Sequence, residues 1–193
     1  MKNNIVITGG GSGIGKEIAL NLSNRFNIII CGRKLSRLKA VASKSENIHY
    51  FKCDVSKEIE VKKLKKFVSK KFGYLDILIN NASVFGEIGP YYQTNSKKWE
   101  NTFKNNFFST YLCCKIFLDL IKKSKIKKII NVAGGGAFDN FPNFSAYAVS
   151  KAAIVRFTET IAQELIKMKI KVYGISPGFV ITPIQNKIFT TGI

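Results

Sequence analysis

With 193 residues and 46% hydrophobic content, the chain can bury one sizeable core, and no shift in composition marks a second, so residues 1–193 are expected to form a single domain. Met1-Lys2-Asn3-Asn4 leads straight into Ile5-Val6-Ile7, too short an apolar run for a signal peptide, and no stretch is apolar enough to span a membrane, which leaves the cytoplasm as the default location. The formal net charge of +19 is spread over segments such as Lys62 to Lys71 and Lys122 to Lys128 without interleaved aromatics; this argues against a nucleic-acid partner and for solvated faces that favour an anionic small ligand.

Short Ile- and Val-rich runs at 4–8, 26–31, 47–52, 74–79, 127–132 and 170–175 read as buried parallel strands. Helical periodicity occupies 13–25, 35–44, 57–72, 96–123 and 145–168 between them. This alternation predicts an α/β fold with a doubly wound parallel sheet, helices on both faces and a ligand outside the carboxyl ends of the strands. Cys31, Cys53, Cys113 and Cys114 lack CxxC spacing and read as reduced core residues, and the single histidine, His49, falls at a strand start, so no metal site is expected and Ser-His-Asp chemistry is disfavoured.

The first strand runs into Thr8-Gly9-Gly10-Gly11-Ser12-Gly13-Ile14-Gly15, ahead of a helix. Glycines there permit a tight turn and close backbone approach, so that a pyrophosphate can rest on free N–H groups at the helix N-terminus; a dinucleotide is the natural ligand. The second strand ends at Cys31-Gly32-Arg33-Lys34, with no acid to accept from a ribose 2′-hydroxyl and with Arg33 able to pair with a 2′-phosphate, which favours NADP(H) over NAD(H). Asp54-Val55 follows the third strand, where the chemistry of Asp54 alone suits a helix cap. Asn106 lies in a helix interior, a poor place for asparagine unless something polar requires it. Tyr147 and Lys151, spaced i, i+4, share one helix face, and a nearby cation is expected to lower a phenol pKa that is ordinarily about 10.

Taken with Asn80-Asn81-Ala82 and Pro177-Gly178-Phe179-Val180-Ile181-Thr182, these motifs stand in the order and at the intervals of the short-chain dehydrogenase/reductase family, which the chain resembles over essentially its whole length. The resemblance implies a Rossmann-type oxidoreductase that moves a hydride between NADP(H), with NAD(H) as the lesser choice, and a small-molecule carbonyl or alcohol. It implies cofactor contacts from Thr8, Gly9, Gly11, Ser12, Gly13, Ile14, Gly15, Arg33, Asp54, Val55, Asn81, Ala82, Tyr147, Lys151, Pro177, Gly178, Val180 and Thr182. Tyr147 would then be the general acid/base, Lys151 would hold the nicotinamide ribose, and Asn106 would hold a water leading from the lysine to solvent. Pairing of the fourth and fifth helices in the family suggests a homo-oligomer through Phe107, Phe108, Tyr111, Phe157 and Ile161.

The pattern is broken in three places. Ser83 replaces the glycine of the family's NNAG turn, where a positive backbone angle would strain it. Gly134 replaces the serine thirteen residues before the tyrosine; Ala133 and Gly135 bring no hydroxyl, and Ser145 reads as the cap of the Tyr147 helix. Main-chain donors of Gly134-Gly135-Gly136 are expected to substitute for that serine. The family's covering loop, helix and seventh strand do not fit before Ile193, so a fragment is one expectation. The alternative to a reductase is thus a dinucleotide-binding protein of the same fold with little or no catalytic activity.

Overall fold

The computed structural model describes residues 2–178 and residue 180. In chain order it contains β1 (Asn3–Thr8), α1 (Gly13–Leu22), β2 (Phe26–Gly32), α2 (Leu35–Ala42), β3 (Ile48–Lys52), α3 (Glu58–Phe72), β4 (Ile77–Asn80), α4 (Ser96–Phe103), α5 (Ser109–Lys122), β5 (Lys128–Val132), α6 (Ser145–Glu164) and β6 (Lys171–Ile175). All pairings are parallel, in the order β3-β2-β1-β4-β5-β6. The order reverses direction between β1 and β4, the place where a doubly wound sheet opens a crevice for ligand.

Continuous apolarity in β1, β2 and β4 has its physical reason in two covered faces, whereas β3 and β6, expected to be buried like the rest, are the sheet edges and are largely exposed among the described residues. Ile5, Ile7, Ile28 and Ile30 pack beneath Ala19 of α1 and Leu38 and Val41 of α2, while Val6, Ile29, Leu78 and Ile129 pack against α3, α5 and the end of α6. The four thiols are free and buried, and burial pushes Cys114 up to about 12, as expected of inert core residues. Ile161 is also part of this core and so is not free for a partner, whereas Phe107, Tyr111 and Phe157 form a partly covered aromatic cluster between α5 and α6.

The segment expected to be one helix over 96–123 is divided by a wider π turn at Lys104–Phe108. One extra residue in that turn directs Asn106 inward, where it is wholly buried. The helix expected over 13–25 stops at Leu22, where the Ser23 hydroxyl donates to the Leu20 carbonyl, and the one expected over 145–168 ends at Glu164 with a tighter turn after it.

Candidate active site

A cleft of about 850 Å3 lies beyond the carboxyl ends of β1, β2, β4 and β5. One end is the glycine turn. The N–H groups of Gly11, Ser12, Gly13 and Ile14 bond to no acceptor among the described residues and stand at the start of α1, an arrangement suited to a diphosphate. Gly15 lies behind this turn: a Cβ there would come within 2.5 Å of Asn81 Nδ2 and 2.7 Å of the Gly9 carbonyl oxygen. Thr8 and Asn81 clip the turn to β4. The Thr8 hydroxyl accepts from the Asn81 and Ala82 N–H groups at 2.9 and 3.0 Å, and Asn81 Nδ2 donates to the Thr8 carbonyl at 2.9 Å.

Arg33 lines the cleft beside Lys34 and Arg37, two cations the sequence reading did not single out. Their common position becomes visible only when β2 and α2 fold back past the glycine turn. Arg33 Nη1 is loosely held, 3.5 Å from Asn105 Oδ1, and exposed. Asp54 and Val55 line the cleft as well. Asp54 does not cap α3, whose cap position is Lys57; its carboxylate instead accepts from the Ser56 N–H at 3.1 Å and hydroxyl at 2.7 Å.

At the other end, Tyr147 and Lys151 project from α6 into the same cleft. Lys151 is almost fully buried and donates to the Val132 carbonyl at 3.1 Å, with its Nζ 5.5 Å from the Tyr147 ring centre. The expected lowering of the phenol is absent. Burial pushes Tyr147 up to about 12 and Lys151 down to about 8, because each charged form has lost water and the ammonium sits under the ring face rather than at the oxygen.

Asn106 does not line the cleft but fixes its wall. Its Oδ1 accepts from the Val84 N–H at 2.8 Å, and its Nδ2 donates to the Val84 carbonyl and the Ser150 hydroxyl, both at 2.9 Å. Ser150 in turn donates to the Tyr147 carbonyl at 2.6 Å, so one amide joins the loop after β4 to the helix that carries the phenol. Buried beneath it, Asn80 Nδ2 donates to Asn131 Oδ1 at 2.9 Å, and Asn131 Nδ2 to the Thr158 hydroxyl at 2.9 Å. The sequence reading missed this chain; polar residues at strand ends facing a helix were its available signal.

Gly134 occupies a backbone state open almost only to glycine, φ +153°, and a Cβ there would lie 2.9 Å from Tyr147 Oη. The N–H groups of Gly134, Gly135 and Gly136 have no acceptor among the described residues. Ser145 is not the helix cap: α6 starts at Ser145 after Phe144, and the Ser145 hydroxyl accepts from Trp99 Nε1 at 3.0 Å. Ser83 has no left-handed backbone angle, so serine brings no such strain to the turn.

Of the residues implicated from sequence, Gly9, Gly11, Ser12, Gly13, Ile14, Arg33, Asp54, Val55, Asn81, Ala82, Tyr147, Lys151, Pro177, Gly178 and Val180 meet along this one cleft. Thr8, Gly15 and Asn106 stand behind its walls, and Thr182 lies outside the described residues. Among the described residues no helix is long and apolar enough to cross a membrane, and no group of three His, Cys, Asp or Glu could hold a metal ion.

The family model for short chain dehydrogenases matches residues 3–192. Over 191 residues the chain is 34% identical to a farnesol dehydrogenase of Aedes aegypti, covering 93% of this chain and 78% of that protein. It is 28% identical over 188 residues to a 3beta-hydroxysteroid dehydrogenase of Mediterraneibacter gnavus, covering 95% and 68% respectively. Among solved structures, ElxO with NADP bound is similar with a TM-score of 0.90 at 31% identity, covering 100% of this chain and 80% of that one.

Proposed function

The chain belongs to the short chain dehydrogenase family, and on that premise we propose that it is an NADPH-dependent reductase of small-molecule carbonyl compounds, with Tyr147 as proton donor. The observation that carries the reading is the single cleft in which a phosphate-cradling turn, three cations and the Tyr147–Lys151 pair are joined. The residues fit the cofactor: Gly11 to Ile14 offer unpaired N–H groups to the diphosphate, and the exit of β2 carries cations and no carboxylate, which suits a 2′-phosphate better than a bare ribose. ElxO, bound to NADP, supports the same preference. When bound, the nicotinamide supplies the hydride.

The protein's own part is to hold and deliver a proton. Burial keeps Tyr147 protonated at neutral pH, and its Oη, bonded to no described residue, is free to donate to a carbonyl oxygen as that oxygen gains charge. Lys151, pushed down to about 8, still carries its charge near neutrality and lies between the Val132 carbonyl and the phenol ring, where it would steady the nicotinamide ribose and the developing alkoxide. The same reading takes residues 1–193 as one domain.

Fluorescence titration with NADPH and NADH tests the cofactor site before any substrate is known. NADPH is expected to bind more tightly, and Arg33→Ala to weaken NADPH about tenfold or more while leaving NADH nearly unchanged, because one charge-assisted contact to the phosphate is lost. Equal loss for both nucleotides would mean that Arg33 does not meet a 2′-phosphate.

The alternative, a nucleotide-binding protein that turns little over, is favoured by one observation: Gly134 brings no hydroxyl to the phenol. We take the unpaired amides of Gly134 and Gly135 as the substitute donors for the substrate oxygen. Gly134→Ser is therefore expected to lower turnover. Its Cβ would crowd Tyr147 Oη in a backbone state that disfavours any side chain, at about 1–3 kcal/mol of strain. A large rise in kcat for the variant would instead identify the glycine as a defect.

A further inference from the structure

The end of the cleft around Tyr147 is walled by aromatic rings. Phe85 meets the Tyr147 ring at 4.7 Å and Phe144 at 5.4 Å, both edge to face, while Phe141 stacks on Phe144 at 4.5 Å and leans toward Tyr147 at 6.1 Å. All four rings line the cleft. The cations Arg33, Lys34 and Arg37 stand at the exit of β2, on the far side of β1 and β4 from this wall, leaving Lys151 and the exposed Asp139 as the charged side chains near the phenol among the described residues.

Ser83 belongs to the same wall, two residues before Phe85. Its hydroxyl is buried and has no partner among the described residues. The neighbouring Val84 is held at both N–H and C=O by Asn106, so the segment cannot shift to find one. The register Asn80↔Asn131 puts Ser83 and Gly134 equally far, three residues, past paired asparagines on adjacent strands. A hydroxyl is thus present at the exit of β4 where the exit of β5 has none. A buried O–H without an acceptor is unfavourable, and that penalty is removed when a ligand supplies one.

We propose that this end of the cleft selects a carbonyl carried on a flat, apolar ring system with a second hydrogen-bond acceptor beside the reacting carbonyl. The ring lies against Phe141, which Phe85 and Phe144 back from within the wall, and the Ser83 hydroxyl turns about its Cα–Cβ bond to donate to the second acceptor. A polyhydroxylated substrate is disfavoured there, because its hydroxyls would face phenyl rings and lose their water without replacement. The proposal rests on the reductase reading and names its substrate class.

The test uses the full chain with three probes: isatin, which carries two adjacent carbonyls on an aromatic ring system, 1-tetralone, which carries one, and D-xylose. NADPH oxidation gives turnover, and the shift in Tm with each probe gives binding without turnover. Isatin is expected to raise Tm and to exceed D-xylose in kcat/KM by about a hundredfold or more. Phe141→Ala should remove most of the Tm shift, and Ser83→Ala should lower the preference for isatin over 1-tetralone about tenfold, the weight of one hydrogen bond in a dry site. A Tm shift lost in Phe141→Ala, with no turnover, keeps the ring seat and overturns only the reductase reading. Preference for D-xylose, an isatin preference unchanged by Ser83→Ala, or no shift and no turnover with any ring ketone overturns the proposal.

Discussion

Tyr147→Phe is expected to reduce carbonyl turnover at least about a hundredfold, within the range by which a positioned proton donor speeds such reactions, while NADPH binding stays close to that of the parent protein. The substitution removes one oxygen and keeps the ring that packs against Phe85 and Phe141, so its effect isolates the proton. Single-turnover measurement of NADPH oxidation alongside the fluorescence titration separates the two quantities. Retention of more than about a tenth of the rate would place the acid elsewhere, since a general acid contributes at least tenfold more than that. The pH dependence has a definite sign: with Tyr147 pushed up to about 12, the phenol stays protonated throughout the neutral range, so reduction loses nothing to its ionisation there. Oxidation of an alcohol needs the phenolate and is expected to rise with pH instead. Initial rates measured in both directions between about pH 6 and 10 are expected to show that opposite dependence.

Lys151→Met is expected to abolish activity and at the same time to stabilise the fold. Burial pushes Lys151 down to about 8 from an ordinary value of 10.5, so between those two values the unfolded chain binds a proton that the folded chain does not. Stability of the parent protein therefore rises as pH climbs through that window, and at pH 7 the buried ammonium is a standing cost of about 3 kcal/mol. Methionine fills a similar volume without the charge. Thermal unfolding at pH 7 is expected to show a higher Tm for the variant, with the gap closing toward pH 10.5. A variant less stable than the parent at pH 7 would mean that the bond to the Val132 carbonyl outweighs desolvation.

The centre of the parallel sheet was legible because β1, β2 and β4 are covered on both faces and so are apolar nearly throughout, and the glycine turn because close approach to a helix N-terminus leaves few other residues. Tyr147 and Lys151 were legible as an i, i+4 pair, but the sense of their pKa shifts was not: spacing gives proximity along a helix, whereas burial and the direction of the ammonium come from packing. Lys34 and Arg37 escaped notice since nothing in the sequence places α2 beside the glycine turn. Residue type alone suggests a helix cap for Ser145 and, as one of two readings, for Asp54; in each case a nearer partner, Trp99 or Ser56, claims the side chain, and Asp54 lines the cleft. Asn106 was recognised as an anomaly within a helix; the wider turn that accommodates it has no periodic signature.

The inserted residue of the Lys104–Phe108 turn also sets the phase between the two helical halves it joins. Each residue of a helix advances its side chains by about 100°, so loss or gain of one residue here would rotate the weakly buried α4 against the deeply buried α5 and take Thr102 and Asn106 out of place. Length, more than sequence, is what this stretch cannot change: many substitutions on its outer side leave the phasing intact, while a single-codon deletion is a severe lesion.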